Sequence, residues 1–301
     1  MTDGVMPRGT LRPDQLDLLR ELGDLKRVRS AARQGSIAER LFAEAWARLA
    51  EGEPPSQAWR GTVAAALAAT RLGDLDADVL AEAGLAAQAV LARGLADAAA
   101  TLPAELRTLL SEAPILPATR TGSGFVAALA RQPRAGVTCP GRPRLLLEPP
   151  ENHAEHCLMV AVYGVLLSPG YGADPATVFL AALAHHLHNA LLPDSGFVGE
   201  ELLGEHLEPA FHRATEAALA ELPPPLAQQV RDARRILPDA ATAEGRAFHA
   251  ADTLDRVLQI EQHLRAGQAS MRYVLHDMAL VHAGPVKPFQ DRVLAEVGLL
   301  P

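Results

Sequence analysis

Residues 151–187, ENHAEHCLMVAVYGVLLSPGYGADPATVFLAALAHHL, decide how this chain is read. Two apolar runs are parted by PGYGADP, whose Pro and Gly interrupt a helix and whose Asp174-Pro175 pair offers an N-cap and a first helical residue. The runs predict helices near 152–167 and 175–192. His156 falls on the first helix and His185-His186 near the end of the second, so packing the two together can bring these side chains to one place.

Ala and Leu dominate the chain and aromatics are only 4% of it, which favours helix over strand throughout. Helices are predicted near 13–33, 36–51, 57–72, 76–100, 103–112 and 122–131, then near 199–221, 224–236, 242–267, 269–282 and 287–298. The helix-poor stretch RQPRAGVTCPGRPRLLLEPP divides them. The expected organisation is an N-terminal helical half, 1–131, a linker, 132–150, and a second half, 151–301, with the halves packed together. An internal echo links them. Ala38-Glu39-Arg40 and Ala69-Thr70-Arg71-Leu72 stand at nearly the separation of Ala154-Glu155-His156 and Ala184-His185-His186-Leu187. The first half can thus be read as a degenerate repeat without the histidines, or the echo as chance in Ala/Leu-rich helices.

Composition excludes several classes. Hydrophobic residues make up 49% of the 301, enough for a real core. The net charge of −8 and the lack of a Lys/Arg block argue against a nucleic-acid polymer as partner, while leaving a small nucleotide in a local pocket open. Cys139 and Cys157 make neither a disulfide framework nor a zinc knuckle and read as reduced thiols. The N-terminus lacks an apolar signal-like core, and no run of about 18 apolar residues occurs, so a cytoplasmic protein with no membrane partner is expected. A homodimer is compatible with the sequence.

All eleven histidines lie at or beyond residue 153. Imidazoles with a carboxylate are the usual ligands of a catalytic divalent ion, and Asp252 lies in a later long helix. Three segments, ENHAEHC (151–157), AALAHH (181–186) and AADTL (250–254), resemble in order and spacing the HD-domain superfamily of metal-dependent phosphohydrolases. They are most similar to its 5′-deoxynucleotidase-like branch. The resemblance implies an all-α HD-like bundle in which His156, His185, His186 and Asp252 hold one divalent transition metal (Fe, Mn, Co, Ni or Zn).

Two departures stand out. His186 takes the place of the family's aspartate, which leaves one anionic ligand and favours transition metals over Mg. Asn189 stands where the branch has a glutamate and cannot act as a base, so proton transfer falls to the retained Asp194 or to His188. Arg142 and Arg144, upstream of the first motif, are candidates for gripping a phosphate. The expected function is hydrolysis of a small, nucleotide-like phosphomonoester. The alternatives are an inactive HD-like ligand-binding scaffold and an HD-type iron oxygenase, for which His206 and His212 would be further ligands. His153 reads as a solvated first-turn residue; His206, His212, His249 and His263 read as surface residues; His276-Asp277 spells the family dipeptide out of order. Trp46 and Trp59 read as packing anchors.

Overall fold

The computed structural model of the chain describes residues 13–31, 33–115, 120, 122, 124–268, 270, 272–277 and 287–296. Its helices are α1 (Pro13–Gly23), α2 (Ile37–Ala50), α3 (Pro55–Leu72), α4 (Ala77–Glu82), α5 (Ala87–Ala98), α6 (Ala104–Ser111) and α7 (Gly124–Arg131). They continue with α8 (His153–Tyr171), α9 (Pro175–Ala184), α10 (Gly196–Leu203), α11 (Leu207–Leu219), α12 (Pro224–Ala233), α13 (Ala243–Gln268) and α14 (Lys287–Glu296). Among the described residues no β-strand forms; there are only isolated bridges such as Val137 with Leu145. The expected all-α fold is found.

The chain forms two compact units, the first running to Arg256 and the second starting at Val257. In the first, α8 and α9 are the central pair. Every residue of α8 from His153 to Ser168 is buried, as is α9 from Val178 to Ala184. Helices apolar on all faces must be enclosed by others. Around them, α2 packs on α8 and α3, α3 on α9, α12 on α9, and α7 on α8. Gly164 lets α8 and α9 approach closely, since a Cβ there would stand 2.6 Å from Val178 Cγ1. Trp46 anchors the first helices, edge-on to Phe42 at 6.3 Å and to Phe125 at 5.1 Å. In the second unit, α14 carries an i,i+4 pair, Lys287 with Asp291 at 2.8 Å.

Four predicted helices end early. The first stops at Gly23 and tightens into a 3-10 turn, Asp24–Lys26. That predicted over 76–100 breaks after Glu82, where Gly84 adopts φ 75°, and that over 199–221 breaks at Gly204, φ 49°. The fourth, over 175–192, stops at Ala184; His186 takes φ −106°, ψ 24°, and a 3-10 turn follows over Leu187–Ala190. Half of the helix predicted over 269–282 lies outside the described residues, and the other half holds a π-helical turn, Tyr273–Asp277.

The start of α8 is fixed by its sequence. Asn152 caps it, with Oδ1 accepting from Glu155 N at 2.9 Å while the Glu155 carboxylate accepts from Asn152 N at 3.0 Å. Ser36 caps α2, accepting from Glu39 N at 3.2 Å. The two caps are also exchanged: Ser36 Oγ donates to Glu155 Oε1 at 2.7 Å, and Asn152 Nδ2 donates to Glu39 Oε2 at 3.1 Å. Both helix starts are therefore locked together one turn from His156. Asn152→Ala removes a cap and one of the exchanged bonds. It should lower unfolding free energy by about 1–2 kcal/mol, read as a fall in urea midpoint at unchanged m-value.

Candidate metal centre

The first turn of α8 and the carboxyl end of α9 bring His156 and His185 face to face, with Nε2 atoms 3.1 Å apart. His186 joins them, its ring centroid 4.3 Å from that of His185 and 5.2 Å from that of His156. A nitrogen from each of the three lies within 4.8 Å of the others. Asp252, on α13, closes the group with Oδ1 3.2 Å from His156 Nε2. The four residues singled out by spacing thus lie side by side. They can do so because α9 ends at Ala184: two successive histidines face one point only where the backbone leaves the helical path.

The hydrogen bonds fix which nitrogens are free. His156 Nδ1 donates to the Asp255 carboxylate at 2.7 Å, His185 Nδ1 to the Ala182 carbonyl at 2.6 Å, and His186 Nδ1 to Asn189 Oδ1 at 2.8 Å. The Asn189 amide is oriented by its own Nδ2, which donates to the Leu192 carbonyl at 3.1 Å. Each ring therefore carries a proton on Nδ1 and turns its Nε2 toward the others. Burial, followed by the neighbouring histidine, keeps His185 and His186 neutral, His185 with a pKa down to about 3. The His156 and His185 Nε2 atoms, 3.1 Å apart beside the Asp252 carboxylate, are placed to share one cation. Their separation is close to the edge of a tetrahedron with metal–nitrogen bonds, about 3.3 Å. The donor set fits a divalent transition ion.

The residues behind His156 carried no motif. Asp255 is three residues beyond Asp252, on the same face of α13, and is buried. Its Oδ1 accepts from Lys26 Nζ at 2.5 Å, and the same ammonium is hydrogen-bonded to Glu151. Burial would lower the Lys26 pKa, but the Asp255 and Glu151 carboxylates outweigh it and raise the value, so this enclosed ammonium is charged. The i,i+3 carboxylate pair was a signal that could have found Asp255. Lys26, far away in sequence, gave none.

His153 departs from expectation: it is fully buried, neither ring nitrogen has a hydrogen-bond partner among the described residues, and its ring centroid lies 4.7 Å from that of His186. It shares the packed face of α8 with His156, which the helix start locked by Asn152 turns inward. Asp194 Oδ2 is 3.6 Å from His153 Nε2 and accepts from Ala135 N at 2.9 Å, while Oδ1 accepts from Gly196 N at 2.9 Å. His188 stacks on Phe211 with centroids 3.9 Å apart. Arg142 and Arg144 are exposed, and Arg144 donates to the Ser195 carbonyl at 3.4 Å. The arginine beside the cluster is Arg134, whose Nη1 is 3.4 Å from His186 Nε2 and whose Nε is 3.6 Å from Glu151 Oε2. His206, His212 and His276 are exposed.

Residues 126–291 match the HD domain family. The match takes in more than half of the chain, and the protein belongs to that family. No curated protein and no solved structure shows a match.

The buried imidazoles make stability depend on pH. Burial holds the pKa of His153 at about 2, of His185 at about 3 and of His188 at about 4, against 6.5 for a free histidine. The unfolded chain therefore binds more protons than the folded one below pH 6.5, and the stability present above that pH is lost as the pH falls toward the folded values. In chelator, the urea midpoint should drop steadily from pH 6.5 to 4, each unprotonated histidine contributing up to about 1.4 kcal/mol per pH unit. A midpoint flat over that range would show that these rings are not enclosed.

Proposed function

We propose that the chain is a metal-dependent phosphohydrolase of the HD type acting on a small, nucleotide-like phosphomonoester. The observation that carries the reading is the meeting of the His156 and His185 Nε2 atoms, with His186 and Asp252 beside them, at the family's motif positions. His156, His185, His186 and Asp252 would hold one divalent ion, and three nitrogens to one carboxylate favour Fe, Mn, Co, Ni or Zn over Mg. When bound, such an ion supplies Lewis-acid polarisation of a phosphoryl oxygen and lowers the pKa of water.

The chain's own residues divide the remaining work. Three neutral imidazoles and one carboxylate leave a divalent ion positively charged, which suits an anionic substrate. Arg134 adds a guanidinium beside His186, in place to take a phosphate oxygen, with Arg142 and Arg144 in the exposed loop further out. Asp194, 3.6 Å from His153 and outside the four residues that would hold the ion, is the proton acceptor of choice. Asn189 holds the His186 ring by its Nδ1 proton, and His188, neutral and stacked on Phe211, walls the site.

One observation favours a second reading, an inactive ligand-binding scaffold: the Asn189 amide is fully engaged and has no titratable group. The iron-oxygenase alternative draws no support from His206 and His212, both exposed. The test is phosphate release from a panel of nucleoside monophosphates with Mn, Fe, Co, Ni or Zn added. The wild type should turn over at least one substrate, His185→Ala none, and Asp194→Ala should be slower by about 10²–10⁴-fold, the range for one acid–base group. Asn189→Glu should raise the rate. Inactivity of the wild type with metal bound would leave the scaffold.

A further inference from the structure

Besides the histidine cluster, a second set of donor atoms converges in the first unit: Glu151, His156 and Asp255. Its centre is filled. Lys26 Nζ lies between the two carboxylates, donating to Asp255 Oδ1 at 2.5 Å and bonded to Glu151, and all three side chains are almost wholly enclosed. The other oxygen of Asp255 takes the Nδ1 proton of His156 at 2.7 Å. Lys26, Asp255 and His156 are thus joined in line, and the line ends on the His156 Nε2 atom that faces His185. Lys26 itself is held by the 3-10 turn Asp24–Lys26, which follows α1 and packs on α2 and α3.

We infer that Lys26 is a positioning residue for the metal centre: a built-in cation that occupies the Glu151–Asp255 pair and, through Asp255, sets the tautomer and aim of His156. The inference rests on the reading of His156 as a metal ligand. Without Lys26 the nearest cation would be Arg134, 3.6 Å from Glu151 Oε2 and with no contact to Asp255, so the two buried carboxylates would repel each other and Asp255 would be lost as the acceptor for His156. A ligand imidazole depends on such a partner for its tautomer and its orientation. The ammonium does this without occupying any ligand position on the histidine cluster. It also gives the N-terminal helices a task in the chemistry, because the turn that presents Lys26 is built entirely from them.

The experiment uses the full chain, with Lys26→Met, Lys26→Gln and Lys26→Arg beside the wild type. In the metal-free protein, nitrogen-15 spectra should show His156 in its Nδ1–H tautomer in wild type and in Lys26→Arg, and a mixture of tautomers in Lys26→Met and Lys26→Gln. Titration with Co(II), followed by visible absorption, should give an affinity about 10–100-fold weaker for Met and Gln, with Arg restoring most of it. Two neutral variants are used so that misfolding of one, judged by circular dichroism, leaves the other to report. Unchanged tautomer and unchanged affinity in a folded neutral variant would overturn the inference. The tautomer is read without metal, so a wild type that binds no Co(II) would count against the metal centre itself and leave the role of Lys26 to be judged by the spectra.

Discussion

Three imidazoles and a carboxylate converge on one point, and much of the first unit serves to hold them there. His156 and His185 meet at 3.1 Å through Nε2, with the Nδ1 of each ring protonated. Each ring is kept in that state by an acceptor behind it: a carboxylate for His156, a backbone carbonyl for His185 and an amide oxygen for His186. Remove any acceptor and a ring can rotate or change tautomer, which dissolves the donor set.

That constraint reaches outward through α8. Its first turn must keep His153 and His156 inward, and the capping box at Asn152, with the bonds exchanged between Asn152, Glu39, Ser36 and Glu155, sets the turn's rotation. The same locking ties the amino end of α2 to that of α8. We read the exchange as support for a degenerate repeat. Ser36-Ile37-Ala38-Glu39-Arg40 would then be the counterpart of Asn152-His153-Ala154-Glu155-His156, each cap serving its own helix and the other's glutamate. In that alignment Arg40, bonded to Asp74, would stand opposite His156.

The sequence was most legible where one signal acted alone. Helical periodicity and proline punctuation placed α8, α9 and the long α13, and the His156…His185-His186…Asp252 spacing identified side chains that the fold brings together. Reading failed where tertiary demands override propensity. Ala and Leu carry helical preference through 184–192, yet the chain turns at His185-His186 because both rings must face one point. His153 looked like a solvated first-turn residue and is enclosed, since the turn lies against the His186 ring. Lys26 was illegible on principle: a lone lysine in a charged segment reads as solvated, and only the three-dimensional path of the chain reveals the two carboxylates that keep it inside.

The central claim is that these side chains form one metal centre, and metal analysis tests it most directly. Protein purified without added metal, or reloaded with a single transition ion and desalted, should carry close to one equivalent by elemental mass spectrometry. His185→Ala and Asp252→Ala, folded by circular dichroism, should carry far less. A wild type that retains no metal under either regime, or variants that retain as much as the wild type, would contradict the account.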